Sequence, residues 1–194
     1  MKTLESSFSD EVLDSRGLDM YECKGSKFLS VLVPLAAFEP SLEALKSMHP
    51  KAVHFVYAFR AYREGQILER GSDDGEPKGS SGVPVLNVLR GAELVDCAVI
   101  VVRYFGGTLL GVGGLVRAYT RAAQLALESM QEHIVPFCLL ESMQIMVGYA
   151  ALRGVEYHAK RLGVEICARE FLAHGVQLTL RAQSAQLAEL QGLL

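Results

Sequence analysis

The chain has 194 residues, half of them hydrophobic, and a formal net charge of −3 at neutral pH. This length suits one large domain or two small ones with a substantial core, and the composition excludes a chain dominated by disorder. The mild charge excludes a uniformly basic nucleic-acid binder, so a polyanionic partner has to meet a local cluster of positive charge.

The first part of the chain alternates predicted strands with a short helix. β-Branched and aromatic residues predict a strand or hairpin within 20–34. Pro40 opens a short predicted helix, which Pro50 closes. The alternation over 53–59 predicts a strand with Val53 and three aromatic residues on one face, and a second short strand follows at 67–68.

The middle of the chain contains two loops rich in turn residues, each followed by a predicted helix. Residues 71–82 form the first loop by composition, and Pro84 marks the start of a short helix that ends at Gly91. The apolar run 95–102 predicts a central strand covered on both faces. A glycine-rich loop follows, and the apolar spacing from Leu115 onward predicts a long amphipathic helix.

Residues 131–136 are interpreted as a domain junction, which places two predicted domains at 1–133 and 137–194. The second domain is predicted to consist of a strand, a helix, two strands and a last helix, at 139–147, 152–162, from 164, from 176 and at 183–193. This order is typical of a ferredoxin-like half-domain that lacks its last strand. The missing strand would leave a sheet edge open for pairing with another chain, and so for a homo-oligomer.

Cysteine usage and chain composition favour a cytoplasmic protein. The four cysteines form no C-x-x-C pair, and although they could form two disulfides, reduced thiols fit a chain of this size better. The start of the chain, 1–14, is acidic and unlike a secretory signal. The longest purely apolar run, 97–102, is far shorter than the roughly 20 residues that a membrane helix requires.

The glycine-rich loop is the strongest candidate for an anion site. Its glycines permit close approach of a ligand to the backbone, and the start of the following helix presents unpaired N–H groups. A cation in the first helical turn would oppose the helix dipole unless an anion lies nearby, and Arg117 is such a cation. The predicted anion-binding residues are Arg103, Gly106, Gly107, Gly111, Gly113, Gly114, Arg117, Arg121 and Lys78. The glycine spacing fits neither a dinucleotide fingerprint nor a P-loop, and glycines that serve only turns and packing are the alternative.

The first loop carries three carboxylates, Asp73, Asp74 and Glu76, which could act as a general base or hold Mg²⁺. Asx-turns and helix capping explain them equally well, and metal ligation is the less favoured use. His54 lies in a predicted strand and points away from the aromatic face, where a structural hydrogen bond is favoured over a catalytic role. Cys97 is interpreted as an inert core residue.

Four segments of the chain are similar to the YigZ/IMPACT family. Residues 72–84 (SDDGEPKGSSGVP) and 101–119 (VVRYFGGTLLGVGGLVRAY) carry the main resemblance, and 24–28 (KGSKF) and 54–60 (HFVYAFR) resemble earlier blocks of the family. The resemblance implies an α+β protein: an amino-terminal α/β domain like the second domain of a small-subunit ribosomal protein, and a carboxy-terminal ferredoxin-like domain akin to the last domain of elongation factor G. It supplies no established catalytic residue.

Three functions remain open on the sequence, of which the least specific is a scaffold that binds another protein through the second sheet. The favoured one is a non-enzymatic binder of RNA or a ribosomal surface in translation regulation, without a cofactor, and Lys24, Lys27 and Arg60 are additional candidate contacts. The alternative is an enzyme acting on a small phosphorylated or carboxylated substrate. In that case one of the three loop carboxylates, or His54, serves as the base, or the carboxylates bind Mg²⁺.

Overall fold

The computed structural model of the chain describes residues 1–5 and 18–193. The chain divides into two compact units, Met1–Phe137 and Cys138–Leu194, each with its own hydrophobic core. Of the acidic stretch at the start of the chain, residues 6–14 lie outside the described residues.

The first unit contains seven described strands and three described α-helices. The strands are β1 (Lys2–Leu4), β2 (Asp19–Cys23), β3 (Ser26–Pro34), β4 (His54–Arg63), β5 (Gln66–Ser72), β6 (Cys97–Tyr104) and β7 (Ile134–Pro136). The helices are α1 (Phe38–Met48), α2 (Gly82–Gly91) and α3 (Val112–Ser129). Short 3₁₀ turns at Leu35–Ala37 and Gln131–His133 precede α1 and follow α3.

Five of these strands form one antiparallel sheet in the order β2-β3-β6-β4-β5. Strand β6 lies in the middle, and seven of its eight residues are buried. Helices α2 and α3 contribute to the core on one face of the sheet, while α1 packs with the β4 aromatic residues on the other. A strand covered on both faces was predicted for this segment, and its apolar residues make that covering favourable.

Cys97 begins β6 and is fully buried in the core shared with α2 and α3. Burial, with a smaller contribution from Asp96, raises the pKa of its thiol to about 12. A thiol that stays protonated at neutral pH is a poor nucleophile, which agrees with the interpretation of Cys97 as an inert core residue.

Strands β1 and β7 form a separate two-stranded antiparallel sheet that joins the start of the first unit to its end. Lys2 pairs with Pro136, and Leu4 pairs with Ile134. The segment 131–136, interpreted as a domain junction, contains a 3₁₀ turn and a paired strand, and the boundary between the two compact units follows directly after Phe137.

The second unit has the predicted order of a strand, a helix, two strands and a helix. Its elements are β8 (Glu141–Val147), α4 (Leu152–Leu162), β9 (Glu165–Leu172), β10 (Gly175–Ala182) and α5 (Ser184–Gly192). The sheet order is β8-β10-β9, so among the described residues β8 pairs on one side only. Pairing of this edge with another copy stays a prediction. No helix in 1–5 or 18–193 has both the length and the apolar character that crossing a membrane requires.

Candidate functional site

The two loops that the sequence singled out meet at one end of the large sheet. Antiparallel pairing of β4 with β6 places His54 opposite Arg103, at the start of one strand and near the end of the other. The first loop, which follows β5, folds over this end, and the glycine-rich loop leaves it toward α3. A cavity of about 330 Å³ lies between them.

Asp73 holds the first loop together. Its Oδ1 accepts hydrogen bonds from the amides of Ser81 (3.1 Å) and Gly82 (2.8 Å) and from the Ser81 hydroxyl (2.7 Å), while Oδ2 accepts from the Gly79 amide (2.7 Å). Partial burial disfavours the charged carboxylate, but these hydrogen bonds outweigh the burial and lower the pKa of Asp73. Its lone pairs are engaged, so the geometry gives Asp73 a loop-closing role.

The replacement Asp73→Asn is expected to lower the free energy of unfolding at pH 7 by about 2 kcal/mol, because an amide cannot replace an acceptor of several N–H groups. A lowered folded-state pKa stabilises the fold above the unfolded pKa, and this contribution disappears as the pH falls through the folded-state value. Urea unfolding of wild type and variant should therefore converge below about pH 4. The exposed Glu43→Gln in α1 is the matched control, and an equal effect there would contradict the role of Asp73.

Asp74 fixes the orientation and the tautomer of His54. The Asp74 carboxylate accepts a hydrogen bond from the Phe55 amide (2.6 Å), and its backbone carbonyl lies 2.7 Å from His54 Nδ1. A carbonyl only accepts hydrogen bonds, so Nδ1 carries a hydrogen, and in the neutral ring Nε2 presents its lone pair. Asp74 adopts a positive φ of 43°, which an aspartate tolerates better than most residues.

Glu76 is the carboxylate of the loop that faces the cavity. Its side chain is 3% exposed, and Oε1 accepts hydrogen bonds from Arg103 Nη1 (2.5 Å) and the Tyr119 hydroxyl (2.7 Å). Burial and the hydrogen bond to Glu76 raise the pKa of Tyr119, which keeps its hydroxyl protonated as a donor. Glu76 Oε2 lies 3.8 Å from His54 Nε2.

The Arg103 guanidinium lies close to two aromatic rings. Its Cζ lies 5.5 Å from the centre of the Phe28 ring and 5.8 Å from that of Phe105, distances at which a cation is attracted to the ring faces. Only 6% of the side chain is exposed, and Nε is buried with no acceptor among the described residues. The charge of Arg103 is compensated by Glu76, so this arginine belongs to the cavity floor instead of a free anion surface.

The cavity combines a polar floor with an apolar rim. His54, Glu76 and Arg103 line it and have side chains that are 18%, 3% and 6% exposed. The rim consists of exposed hydrophobic side chains: Val53, Phe105, Leu109 and Val112. Leu109 is 84% exposed, which is unusual for a leucine and leaves apolar surface available to a ligand.

The start of α3 forms one side of the cavity. Gly111 precedes the helix with a positive φ of 68°, and its carbonyl accepts from the Leu115 amide. The amides of the first three helical residues, Val112–Gly114, have no acceptor within the described part of the chain. The first turn contains no acidic residue, so its partial positive charge is uncompensated.

Arg117 is the sixth residue of α3, which begins at Val112, so it lies in the second turn; the expectation of a first-turn cation is corrected accordingly. Side chains in a helix lean toward its amino terminus, and Arg117 Nη1 lies 3.7 Å from the position that a Gly113 Cβ would occupy. Arg117 is exposed and makes no ion pair with any described residue. It therefore adds positive charge beside the free amides.

The remaining basic candidates are placed differently. Arg121 forms a surface ion pair with Glu128 at 2.7 Å, and the exposed Lys78 follows Pro77, which lines the cavity. Lys27 pairs with Glu22 on the surface. Arg60 is buried against Glu69 and the Leu94 carbonyl, six residues along β4 from His54 and so about 20 Å from the site.

Two of the loop glycines are explained by the backbone conformation, without a ligand. The Gly106 amide donates to Ser26 Oγ at 3.2 Å, and a Cβ at Gly106 would lie 1.9 Å from the carbonyl carbon of Gly25. Gly107 has a positive φ of 81°, which few other residues adopt. Gly113 and Gly114 lie in the first turn of α3, and their amides have no acceptor among the described residues.

Sequence reasoning did not identify Tyr119 as part of the site, and for Phe105 it favoured a core position at a strand end over stacking on a base. Tyr119 lies on the apolar stripe of α3, and the available signal was its hydroxyl, because a buried tyrosine requires a hydrogen-bond partner. Phe105 is 47% exposed, and no periodicity marks it. As for metals, no three His, Cys, Asp or Glu side chains cluster as ligands in the part of the chain that the structure describes.

Comparison with known proteins places the site within a described domain. The family model described as the Impact N-terminal domain matches residues 24–127. A Haemophilus influenzae protein named "IMPACT family member" is 36% identical over 178 residues, which cover 87% of this chain and 85% of the relative. The chain belongs to the IMPACT family. His54, Glu76, Arg103 and Tyr119 all lie within the matched range.

Two further relatives cover most of this IMPACT-family chain. The Escherichia coli "IMPACT family member YigZ" is 32% identical over 173 residues, covering 87% of this chain and 83% of its own. A solved crystal structure described as a hypothetical protein has a TM-score of 0.68 and 30% identity, covering 89% of this chain and 84% of that one. These names describe the relatives and assign no activity to them.

Proposed function

We propose that this IMPACT-family protein is a non-enzymatic, cytoplasmic regulator of translation that binds RNA or the ribosome through phosphate groups. The observation that carries the proposal is the start of α3, where three amides and the exposed Arg117 have no partner among the described residues and the first turn contains no acidic residue. We also propose that the first unit has the ribosomal-protein-like fold, and the second unit the ferredoxin-like fold, that the family resemblance implies.

Charge placement supports a contact with one or a few phosphates. Arg103 pairs with the buried Glu76 and the buried Arg60 pairs with Glu69, whereas Arg117 and Lys78 are exposed and free of ion pairs with described residues. Lys24 lies in the turn before Gly25, whose backbone packs against Gly106 at the start of the glycine-rich loop. The first unit thus has a local basic surface although the whole chain is acidic, as a phosphate contact requires.

The test is RNA or ribosome binding by the Arg117→Ala variant across a salt series. Loss of one phosphate contact should weaken binding about three- to tenfold and reduce the slope of log affinity against log salt by about one. The exposed Lys46→Ala, which removes the same charge from α1 on the other face of the sheet, is the control. Equal binding by both variants and wild type would refute the proposal for this surface.

The second candidate function is an enzyme acting on a small phosphorylated or carboxylated substrate. The observation that favours it is the buried Glu76, which faces a cavity together with His54 while Asp73 and Asp74 are engaged in holding the loop. Glu76 or His54 would be the base. Glu76 would also be the carboxylate that binds Mg²⁺, since the carboxylates of Asp73 and Asp74 accept backbone hydrogen bonds. A time course by nuclear magnetic resonance of nucleotides and sugar phosphates incubated with the protein, with and without Mg²⁺, separates the two candidates, because an enzyme converts its substrate whereas a binder leaves every compound unchanged.

A further inference from the structure

The floor of the cavity contains two hydrogen-bond acceptors that face each other. Neutral His54 presents the Nε2 lone pair, because its Nδ1 hydrogen points at the Asp74 carbonyl. Glu76 Oε2 lies 3.8 Å away and accepts no hydrogen bond from the described residues, whereas Oε1 accepts two. Two facing acceptors are satisfied only when a hydrogen lies between them, either on a protonated His54 or on a donor group from outside the chain.

The charges around the cavity favour one orientation of a bound ligand. Arg103 and Glu76 compensate each other at the floor, and the carboxylate repels a second anion there. The free amides of Val112–Gly114 and the exposed Arg117 lie at the α3 side, where an anion is favoured. A ligand therefore places a hydrogen-bond donor toward the floor and a negative group toward α3.

The apolar rim indicates that the rest of the ligand is apolar. Phe105 and Leu109 are 47% and 84% exposed, so a flat apolar body covers them with a gain from buried surface. The cavity volume of about 330 Å³ is at the lower end of the range of small-molecule sites, about 300–1,000 Å³. It suits one compact unit and not a folded polymer.

We infer that this cavity binds a ribonucleotide unit, with the hydrogen of one ribose hydroxyl shared between His54 Nε2 and Glu76 Oε2 in a three-centre hydrogen bond, the phosphate at the start of α3 and the base against Phe105 and Leu109. Hydroxyl, phosphate and flat ring occur together in that chemical class. The unit is supplied either by a free nucleoside monophosphate or by the end of an RNA strand. The inference rests on the proposed function in one respect, that the α3 start takes the phosphate.

The test is calorimetric titration of the full chain with a panel of ribonucleoside 5′-monophosphates and their 2′,3′-dideoxy counterparts. At least one ribonucleotide should bind at least tenfold more tightly than its dideoxy counterpart. In His54→Phe, which keeps a ring but removes the acceptor, this preference should disappear while the dideoxy affinity stays unchanged. Equal binding of the two sugars by wild type, or no binding of any ribonucleotide, overturns the inference.

A second variant tests the placement of the ligand without changing the buried residues of the cavity floor. Leu109 is 84% exposed, so Leu109→Asp leaves the core intact and adds a repelling carboxylate at the rim. It should weaken ribonucleotide binding at least fivefold, and unchanged affinity would contradict the placement.

Two further measurements separate the ligand sources and the two proposals. Competition by a short RNA with a free 3′-terminal ribose, but not by the same RNA carrying a 3′-phosphate, assigns the unit to a strand end; competition by neither assigns it to the free nucleotide. Competition by both equally shows that the strand competes through its phosphates at the start of α3, and this result also assigns the unit to the free nucleotide. RNA binding that falls in Arg117→Ala while no ribonucleotide binds refutes the ribonucleotide cavity and leaves the proposed function standing; the reverse result refutes the RNA surface alone.

Discussion

Replacing Gly106 with alanine is expected to lower the free energy of unfolding by about 4 kcal/mol or more, a large part of the 5–15 kcal/mol typical of a domain. A Cβ built there would lie 1.9 Å from Gly25 C, 2.2 Å from Gly25 O and 2.2 Å from Ser26 N. All three atoms are backbone, so no side chain can move aside, and the β2–β3 turn or the glycine-rich loop has to shift. A shift of the glycine-rich loop also displaces the start of α3, which follows that loop directly.

Urea unfolding, followed by circular dichroism, measures this effect. Gly91→Ala is the matched control, since Gly91 is the last residue of α2, and no atom lies within 4 Å of an added Cβ. Alanine favours a helix over glycine, so the control should be neutral or stabilised by up to about 1 kcal/mol. A Gly106→Ala protein as stable as the control would show that the backbone contact is not close in solution.

The Arg103→Leu replacement is expected to destabilise the fold by about 3–5 kcal/mol, since it leaves the Glu76 carboxylate buried without its cation. The Glu76 side chain is 3% exposed, and after the replacement only the Tyr119 hydroxyl would donate to it. Arg121→Ala is the control, because its pair with Glu128 lies on the surface, where such pairs contribute at most about 1 kcal/mol.

A double replacement tests whether the loss comes from the unpaired charge. In Arg103→Leu with Glu76→Gln both charges are gone, and the amide oxygen still accepts from the Tyr119 hydroxyl. We expect the double variant to regain at least half of the stability lost in Arg103→Leu, which corresponds to a coupling of about 2 kcal/mol in a double-mutant cycle. Additive losses would mean that Arg103 acts through its packing against Phe28 and Phe105.

Local sequence patterns were sufficient for the elements that carry them. The apolar spacing from Leu115 onward predicted α3, and its buried residues follow that stripe. The apolar run at the middle of the first unit predicted the two-sided burial of β6. In the second unit the order of five elements followed from alternation and helical spacing alone. Each of these elements could be predicted because its pattern lies within one continuous segment of the chain.

The site itself depends on contacts between distant segments. Glu76 and Arg103 lie 27 residues apart, and Glu76 and Tyr119 lie 43 apart. The carboxylates of the first loop looked equivalent in sequence, yet one closes the loop, one fixes His54 and only Glu76 faces the cavity. Strand β1 escaped prediction for the same reason, because three residues show no period and their partner β7 lies at the far end of the unit.

The contact between Gly25 and Gly106 has a consequence for how this chain can vary. The two residues touch through their backbones, and a Cβ on either one would lie within 3 Å of the other's backbone. A side chain at one position therefore has to be accommodated by a rearrangement at the other, however distant the two are in the gene. The turn between β2 and β3 and the start of the glycine-rich loop can therefore change in sequence at Gly25 and Gly106 only together.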